Sequence, residues 1–182
     1  GRVLVGGLVQ TREEVVRRVL PFRPGDPFNP EALVEAQRRL GEVPIFERVD
    51  VEPLRPPPAP FADVTVTVRE RNPWHLDLGM GYTTFEGARG FGEIGYDNIF
   101  GLAQTLALRQ RISERGDRTE LLYNVPYVFG TRRRGNATLF RERFEEIGYV
   151  QERYGLGLGV QRPLLEDLIR GLRGGLRYEI YE

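Results

Sequence analysis

Apolar and polar positions along this 182-residue chain follow two rhythms, and the change falls near residue 72. Before it the pattern is mixed. Residues 2–5 form a short apolar run closed by Gly6-Gly7, which reads as a strand. Val15, Val16, Val19 and Leu20 have the spacing of one helix face, and Thr11 with Glu14 has capping-box spacing ahead of them. Asn29 is a good N-cap with Pro30 at the first helical position. Leu33, Ala36 and Leu40 follow on one face, and Gly41 stands where a C-cap glycine belongs. Residues 46–51 alternate imperfectly, Phe46, Arg48 and Asp50 against Glu47, Val49 and Val51, yet their β-branched content argues for a strand. After a proline-rich loop at 55–60, Val64, Val66 and Val68 alternate with polar residues. The order β-α-α-β-β predicts an α+β module with two helices on one face of a three-stranded sheet.

From residue 72 onward the period is two, in seven segments of about ten residues with no helix among them. Trp74, Leu76, Leu78, Met80 and Tyr82 share one face, and His75, Asp77, Gly79, Gly81 and Thr83 the other. Leu106, Leu108 and Ile112 oppose Thr105, Arg109 and Arg111. Leu121, Tyr123, Val125 and Tyr127 oppose Glu120, Leu122 and Asn124. Tyr154, Leu156, Leu158 and Val160 oppose Arg153, Gly155, Gly157 and Gly159, and Leu172, Leu176, Tyr178 and Ile180 oppose Arg173, Gly175, Arg177 and Glu179. Residues 91–97 and 136–146 complete the set. The latter is not oriented by its pattern, because Phe140 and Phe144 share a face with Glu142 while Arg141 and Arg143 take the other.

Composition sharpens the boundary. Residues 1–71 hold ten of the 13 prolines but only five of the 22 glycines, and Asn72-Pro73 is a natural joint. The expected domains are therefore 1–71 and 72–182. Alternation alone fits a soluble β-sandwich as well as a barrel wall in lipid. Strand length favours the wall, since a tilted transmembrane strand needs about 9–11 residues. Aromatic residues near segment ends (Trp74, Tyr82, Tyr127, Phe129, Tyr154, Tyr178) suit interfacial girdles, and a Gly- and Arg-rich polar face suits a watery lumen.

The residues present exclude most chemistry. There is no cysteine, one histidine and a single serine, Ser113, so neither a Cys/His zinc site nor a Cys/His nucleophile pair can be assembled. A Ser-His-Asp triad would need Ser113 and His75 themselves. The 26 basic residues, all arginine, balance 26 acidic ones, so no global positive field points to nucleic acid. Neither an enzyme nor a cofactor nor a metal is expected. No stretch approaches the roughly 18 apolar residues of a membrane helix, and no signal peptide opens the chain. Gly90 to Gly95 spells G-x-G-x-x-G, but a nucleotide site needs a helix opening there, and Tyr96-Asp97-Asn98 leads into a turn. Arg115-Gly116-Asp117 reads as a turn, Asn136-Ala137-Thr138 as strand rather than sequon, Arg132-Arg133-Arg134 as a solvated turn and Pro56-Pro57-Pro58 as a stiff loop.

Certain runs carry a family resemblance. Residues 5–11, Gly25-Asp26-Pro27-Phe28, Gln37-Arg38-Arg39-Leu40 and Ile45-Phe46-Glu47-Arg48-Val49 together resemble a POTRA module. Residues 74–82, Gly95-Tyr96-Asp97-Asn98-Ile99-Phe100-Gly101 and Pro126-Tyr127-Val128-Phe129-Gly130 look like the opening of an Omp85-superfamily barrel of the BamA/TamA type. The resemblance covers essentially the whole chain, a last POTRA joined to the first strands of an antiparallel up-and-down transmembrane β-barrel. It implies about sixteen strands where seven are present, and the closing strand and late Arg-Gly-Phe loop are missing, so a piece of a longer protein is expected.

The same resemblance implies assembly or translocation of proteins at the bacterial outer membrane, with the POTRA domain in the periplasm. Implied partners are unfolded outer-membrane clients, outer-membrane lipid and accessory lipoproteins or periplasmic subunits. The candidate client edge is Phe46, Glu47, Arg48, Val49, Asp50 and Val51, for which plain sheet packing is the competing role. The candidate lateral seam is Trp74, Leu76, Leu78, Gly79, Met80, Gly81 and Tyr82, where Gly79 and Gly81 are expected to lighten one face and loosen packing. A two-partner secretion transporter and a structural or adhesive surface barrel are the alternatives.

Residues 1–71 expressed alone are expected to be a soluble, modestly stable α/β domain, because helices and sheet share one apolar interior. Far-ultraviolet circular dichroism checks this; a spectrum without helix would contradict it.

Overall fold

Valine spacing builds the first part of the chain. The computed structural model describes residues 1–54, 63–126, 134–146, 148–163 and 173–181. The expectations placed on Pro56-Pro57-Pro58, Tyr127, Phe129, Arg132, Arg133 and Leu172 lie outside these residues, as do the side chains beyond residue 160. Two units separate: Gly1–Pro73 with Phe100–Ala103, and Trp74–Ile99 with Gln104–Glu182.

In the first unit, β1 (Val3–Gly6), α1 (Glu13–Val19), α2 (Pro30–Gly41), β2 (Phe46–Pro53) and β3 (Val64–Glu70) follow the expected order. The sheet order is β1-β3-β2, with β1 parallel and β2 antiparallel to the central β3. Val64, Val66 and Val68 of β3 share one buried core with Val15, Val16, Ala36 and Leu40, each valine or leucine contributing about 1.5–3 kcal/mol on burial. The imperfect alternation of β2 has a physical cause. A bulge between Phe46 and Arg48 shifts the pleat, so that Phe46, Val49 and Val51 all reach the buried side.

Two local expectations are corrected. Thr11 does not close a capping box on α1; Arg12 is the N-cap residue and makes no side-chain cap. Instead the Glu70 carboxylate at the end of β3 accepts the backbone N–H groups of Val9 (3.1 Å), Gln10 (2.9 Å) and Thr11 (2.8 Å). A carboxylate facing three donors outcompetes one hydroxyl facing a helix end. Gly41 is not a left-handed cap either: α2 runs through it to Glu42, whose φ of −80° is right-handed. That conformation is taken instead by Gly7, among others, with φ of +84° and a Cβ position 1.9 Å from the Val68 carbonyl oxygen. Phe100–Ala103 groups with this unit through the Gly101 carbonyl, which accepts from the Arg12 N–H at 2.9 Å.

The second unit is a seven-stranded antiparallel meander of β4 (Trp74–Thr83), β5 (Gly87–Ile99), β6 (Gln104–Ser113), β7 (Gly116–Val125), β8 (Arg134–Glu146), β9 (Tyr149–Pro163) and β10 (Arg173–Tyr181). Each strand pairs only with its neighbours in sequence. Gly90 to Gly95 lies inside β5, with no helix opening after it, and Asn136-Ala137-Thr138 lies inside β8. One hydrogen-bond row carries Leu76, Ile94, Leu108, Leu121, Leu139 and Leu156 on a single face. Two rows further along, the same face changes character, from Met80, Gly90 and Ile112 to Asp117, Arg143 and Glu152. The apolar band therefore crosses the rows on a diagonal.

β8 is oriented by its partners. Asn136, Thr138, Phe140, Glu142 and Phe144 take the polar face, because the Phe140 ring fills the space over Gly155 and stacks against the Arg118 guanidinium at 4.3 Å. Arg141 and Arg143 stand on the other face and pair with Glu152 (2.8 Å) and Glu145 (3.6 Å) near the strand end. The polar face is thus less hollow than its composition suggests. A Cβ at Gly155 would meet Phe140 at 2.4 Å, and one at Gly159 would meet Asn136 at 2.3 Å.

Two outcomes follow from these contacts. Burial alone would raise the Glu70 pKa, but the Thr11 hydroxyl and the three N–H donors outweigh it and hold the carboxyl below its usual value. That stabilisation is complete above the unfolded-state value of about 4.3 and is lost as pH falls through the lower folded value. Glu70→Gln should cost the first unit about 1–2 kcal/mol in urea unfolding at neutral pH and accelerate hydrogen exchange at Val9, Gln10 and Thr11. In the full-length protein, Gly155→Val should lower the unfolding temperature through a cost of about 1–3 kcal/mol. Gly157→Ala should not, since its nearest neighbour atom is 3.9 Å away.

Candidate functional site

Neither sheet closes among the described residues, and two of the four end strands, β2 and β4, are the ones singled out above. In the first unit β2 is an edge, paired on one side with β3. At eight residues it is twice the length of β1, the opposite edge. Phe46, Val49 and Val51 point into the core at 3, 8 and 8% exposure, so three of the six candidate edge residues are packing residues. Glu47, Arg48 and Asp50 remain outside. They neutralise one another and their neighbour strand, through Arg48–Asp50 at 3.0 Å and Arg69–Glu47 at 3.2 Å. A segment arriving here would meet main-chain donors and acceptors flanked by paired charges, a surface that selects little by side chain.

In the second unit β4 ends the sheet, bonded only to β5. Its apolar face is bare: Leu76, Leu78 and Met80 are 66, 74 and 95% exposed. At its start Trp74 meets Tyr96 edge to face, with ring centroids 5.1 Å apart. The opposite face is held tightly, which corrects the expectation of loosened packing at Gly79. The Phe91 ring from β5 lies over Gly79, where a Cβ would be 2.2 Å from it. The His75 imidazole from β4 lies over Gly95 in the same way, at 2.3 Å. Gly81 is open, its nearest neighbour being Arg89 Nε at 3.7 Å.

His75 is also anchored through both nitrogens, Nδ1 to Asp97 at 3.0 Å and Nε2 to Glu93 at 3.4 Å. The Thr105 hydroxyl donates to the other oxygen of Asp97, and Arg109 pairs with the other oxygen of Glu93. His75, Asp77 and Glu93 each bring one donor atom within 4.8 Å of the others, the arrangement among the described residues that could hold a metal ion. Counting histidines could not reveal it. Register does, because Asp77 stands directly opposite Glu93 and His75 opposite Gly95. Further along the polar face Arg118 bridges Glu120 (2.8 Å) and Glu142 (3.5 Å), tying β7 to β8. These groups form a structural web that ties β4 to β5 and β6, and β7 to β8.

Comparison with known proteins fits both units. Residues 1–71 match the POTRA family model, described as a surface antigen variable number repeat. Over its whole length the chain is 32% identical to the outer membrane protein assembly factor BamA of Nitratidesulfovibrio vulgaris, of which it covers 23%. It is 30% identical over 68% of its length to the protein of the same name in Neisseria meningitidis serogroup B, of which it covers 16%. The chain thus spans less than a quarter of these relatives. Among solved structures, BamA from Haemophilus ducreyi lacking POTRA domains 1–3 superposes with a TM-score of 0.80 at 22% identity, over 91% of this chain and 33% of that one. CdiB from Acinetobacter baumannii reaches 0.53 at 16% identity, over 88% and 33%. A POTRA module leading into an antiparallel meander, matched end to end by an assembly factor, places the chain in the Omp85 superfamily as a BamA-type protein.

Proposed function

We propose that the chain is the last POTRA domain (1–71) and the N-terminal part (72–182) of a transmembrane β-barrel that assembles proteins into the bacterial outer membrane. The observation that carries this reading is β4: an end strand with an open edge, a bare apolar face and a firmly held polar face. In hydrocarbon each unpaired backbone group is costly, so an incoming strand that bonds to such an edge gains much of its insertion energy there. The step needs no covalent chemistry, and the protein acts without being an enzyme. The POTRA domain stands in the periplasm, where β2 offers its edge to extended client segments before they reach β4. Its partners are unfolded outer-membrane proteins and outer-membrane lipid, with accessory lipoproteins or periplasmic subunits as co-workers, and not nucleic acid.

The diagonal apolar band supports the lipid setting. Its charged border, with Arg141, Arg143, Glu145 and Glu152, gathers at one strand end, while Trp74 and Tyr96 mark the other. A two-partner secretion transporter is the second reading; the fold shared with CdiB is compatible with it, at a lower score than the BamA likeness.

The test uses the full-length protein in proteoliposomes with a photoactivatable residue at Leu78 on β4 or, as control, at Leu139 within the sheet. Client adducts at Leu78 and not at Leu139 are expected during insertion. Adducts at neither position, with export of one secreted protein instead, would overturn the assembly reading. In the same protein Leu108→Arg or Leu158→Arg should impair membrane insertion, each placing a charge in the band at a cost of roughly 2–4 kcal/mol. Arginine at Thr105, on the polar face, should be milder. Equal damage from both faces, read by membrane fractionation, would contradict the barrel.

A further inference from the structure

A strand that exchanges partners at one edge must not slide along its other edge, and β4 is exposed to that danger. Its polar face carries two glycines two residues apart, Gly79 and Gly81, and away from the Thr83–Gly87 turn that joins it to β5 the side chains must distinguish one register from another. The Phe91 ring rests over Gly79, and Gly81, two residues on, is open. By this contact alone, β4 could slip two residues and seat the same ring over Gly81.

The second contact forbids it. His75 on β4 rests over Gly95 on β5, so the two strands exchange rings for glycines, one in each direction. The partners are four residues apart on both strands, which sets Gly79 opposite Phe91 and His75 opposite Gly95 in a single register. In the slip that takes Phe91 to Gly81, the pairing puts His75 opposite Asp97, which has a side chain, and Gly95 opposite Asp77. In the reverse slip Phe91 faces Asp77 and Gly95 faces Pro73, so both rings lose their glycines. A slip by one residue turns the whole apolar face of β4 inward.

We infer that Phe91–Gly79 and His75–Gly95 are a two-way register key: they fix β4 against β5 while its free edge templates an incoming strand. The inference rests on the templating role proposed for β4. Phe91, Gly79, His75 and Gly95 are its positioning residues, acting on the client through the register of β4. Asp97 and Glu93 serve the key by holding the imidazole in place at both nitrogens.

The experiment reads register and function separately in the full-length protein. This chain has no cysteine, so pairs can be introduced on the apolar face, away from the key. Leu78→Cys with Gly92→Cys reports the native register, and Leu78→Cys with Ile94→Cys or Gly90→Cys reports a slip of two in either direction. A disulfide needs Cβ atoms about 4 Å apart, whereas diagonal neighbours are about 7–8 Å apart by Cα, so oxidation distinguishes the registers. Phe91→Ala and His75→Ala should each raise the slipped disulfides severalfold and lower client insertion. Exchanging the partners, Gly79→Phe with Phe91→Gly, restores a ring over a glycine and should reverse both effects, which a variant that merely folds badly would not do.

Unchanged disulfides in Phe91→Ala and His75→Ala would overturn the key, whatever happens to insertion. Slipped disulfides with undiminished insertion would overturn its link to templating. Absence of client adducts at Leu78 with β4 in native register would instead strike the proposed function and leave the register measurement standing.

Discussion

Backbone hydrogen bonding is the constraint on which the rest of this structure depends. Among the described residues every strand of the meander bonds only to its neighbours in sequence, so β5 to β9 have a partner on both sides while β4 and β10 have one. Side chains cannot remove that asymmetry; they decide only how each end is treated. In the first unit the β2 edge is dressed with paired charges, as soluble proteins commonly guard an edge. β4 has no such guard, and its exposed face is Leu, Met and aromatic. The two edges thus present opposite surfaces, paired charges at one and bare apolar side chains at the other.

Much of this was legible in the residues. A period of two has one structural meaning over ten residues, and it located β4, β6, β7 and β9 to within a few positions. The core valines of β3 and the Asn29-Pro30 helix start were equally plain. What the pattern could not carry was anything decided between strands. The bulge at Phe46/Arg48, which explains a faulty alternation, exists only against β3. β8, ambiguous by itself, is oriented by Gly155 on one neighbour and Arg118 on the other.

Glycine was misread for the same reason. Taken alone, Gly79 or Gly155 is an absence and suggests looseness. Across the strand each is the seat of a ring, so the absence is filled from the next strand. Thr11 was misread in the opposite way. Its hydroxyl suited a local cap, but Glu70, 59 residues away, gathers the whole turn. Local spacing identifies what a residue can do nearby. It is silent on a stronger partner brought in by topology.

The diagonal of the apolar band has a consequence for any strand that joins the sheet. Since the band climbs across the hydrogen-bond rows, a pairing choice is also a choice of height. A strand shifted by two residues along β4 moves about 7 Å along its own axis, and because the band is inclined, much of that shift becomes vertical. Its own apolar stretch then rides above or below the band of its new neighbours, leaving charged side chains in oil on one border and apolar ones in water on the other. In the membrane setting proposed above, alignment of the backbone and depth in the bilayer are therefore one variable, and the edge of β4 is a ruler against which both are measured together.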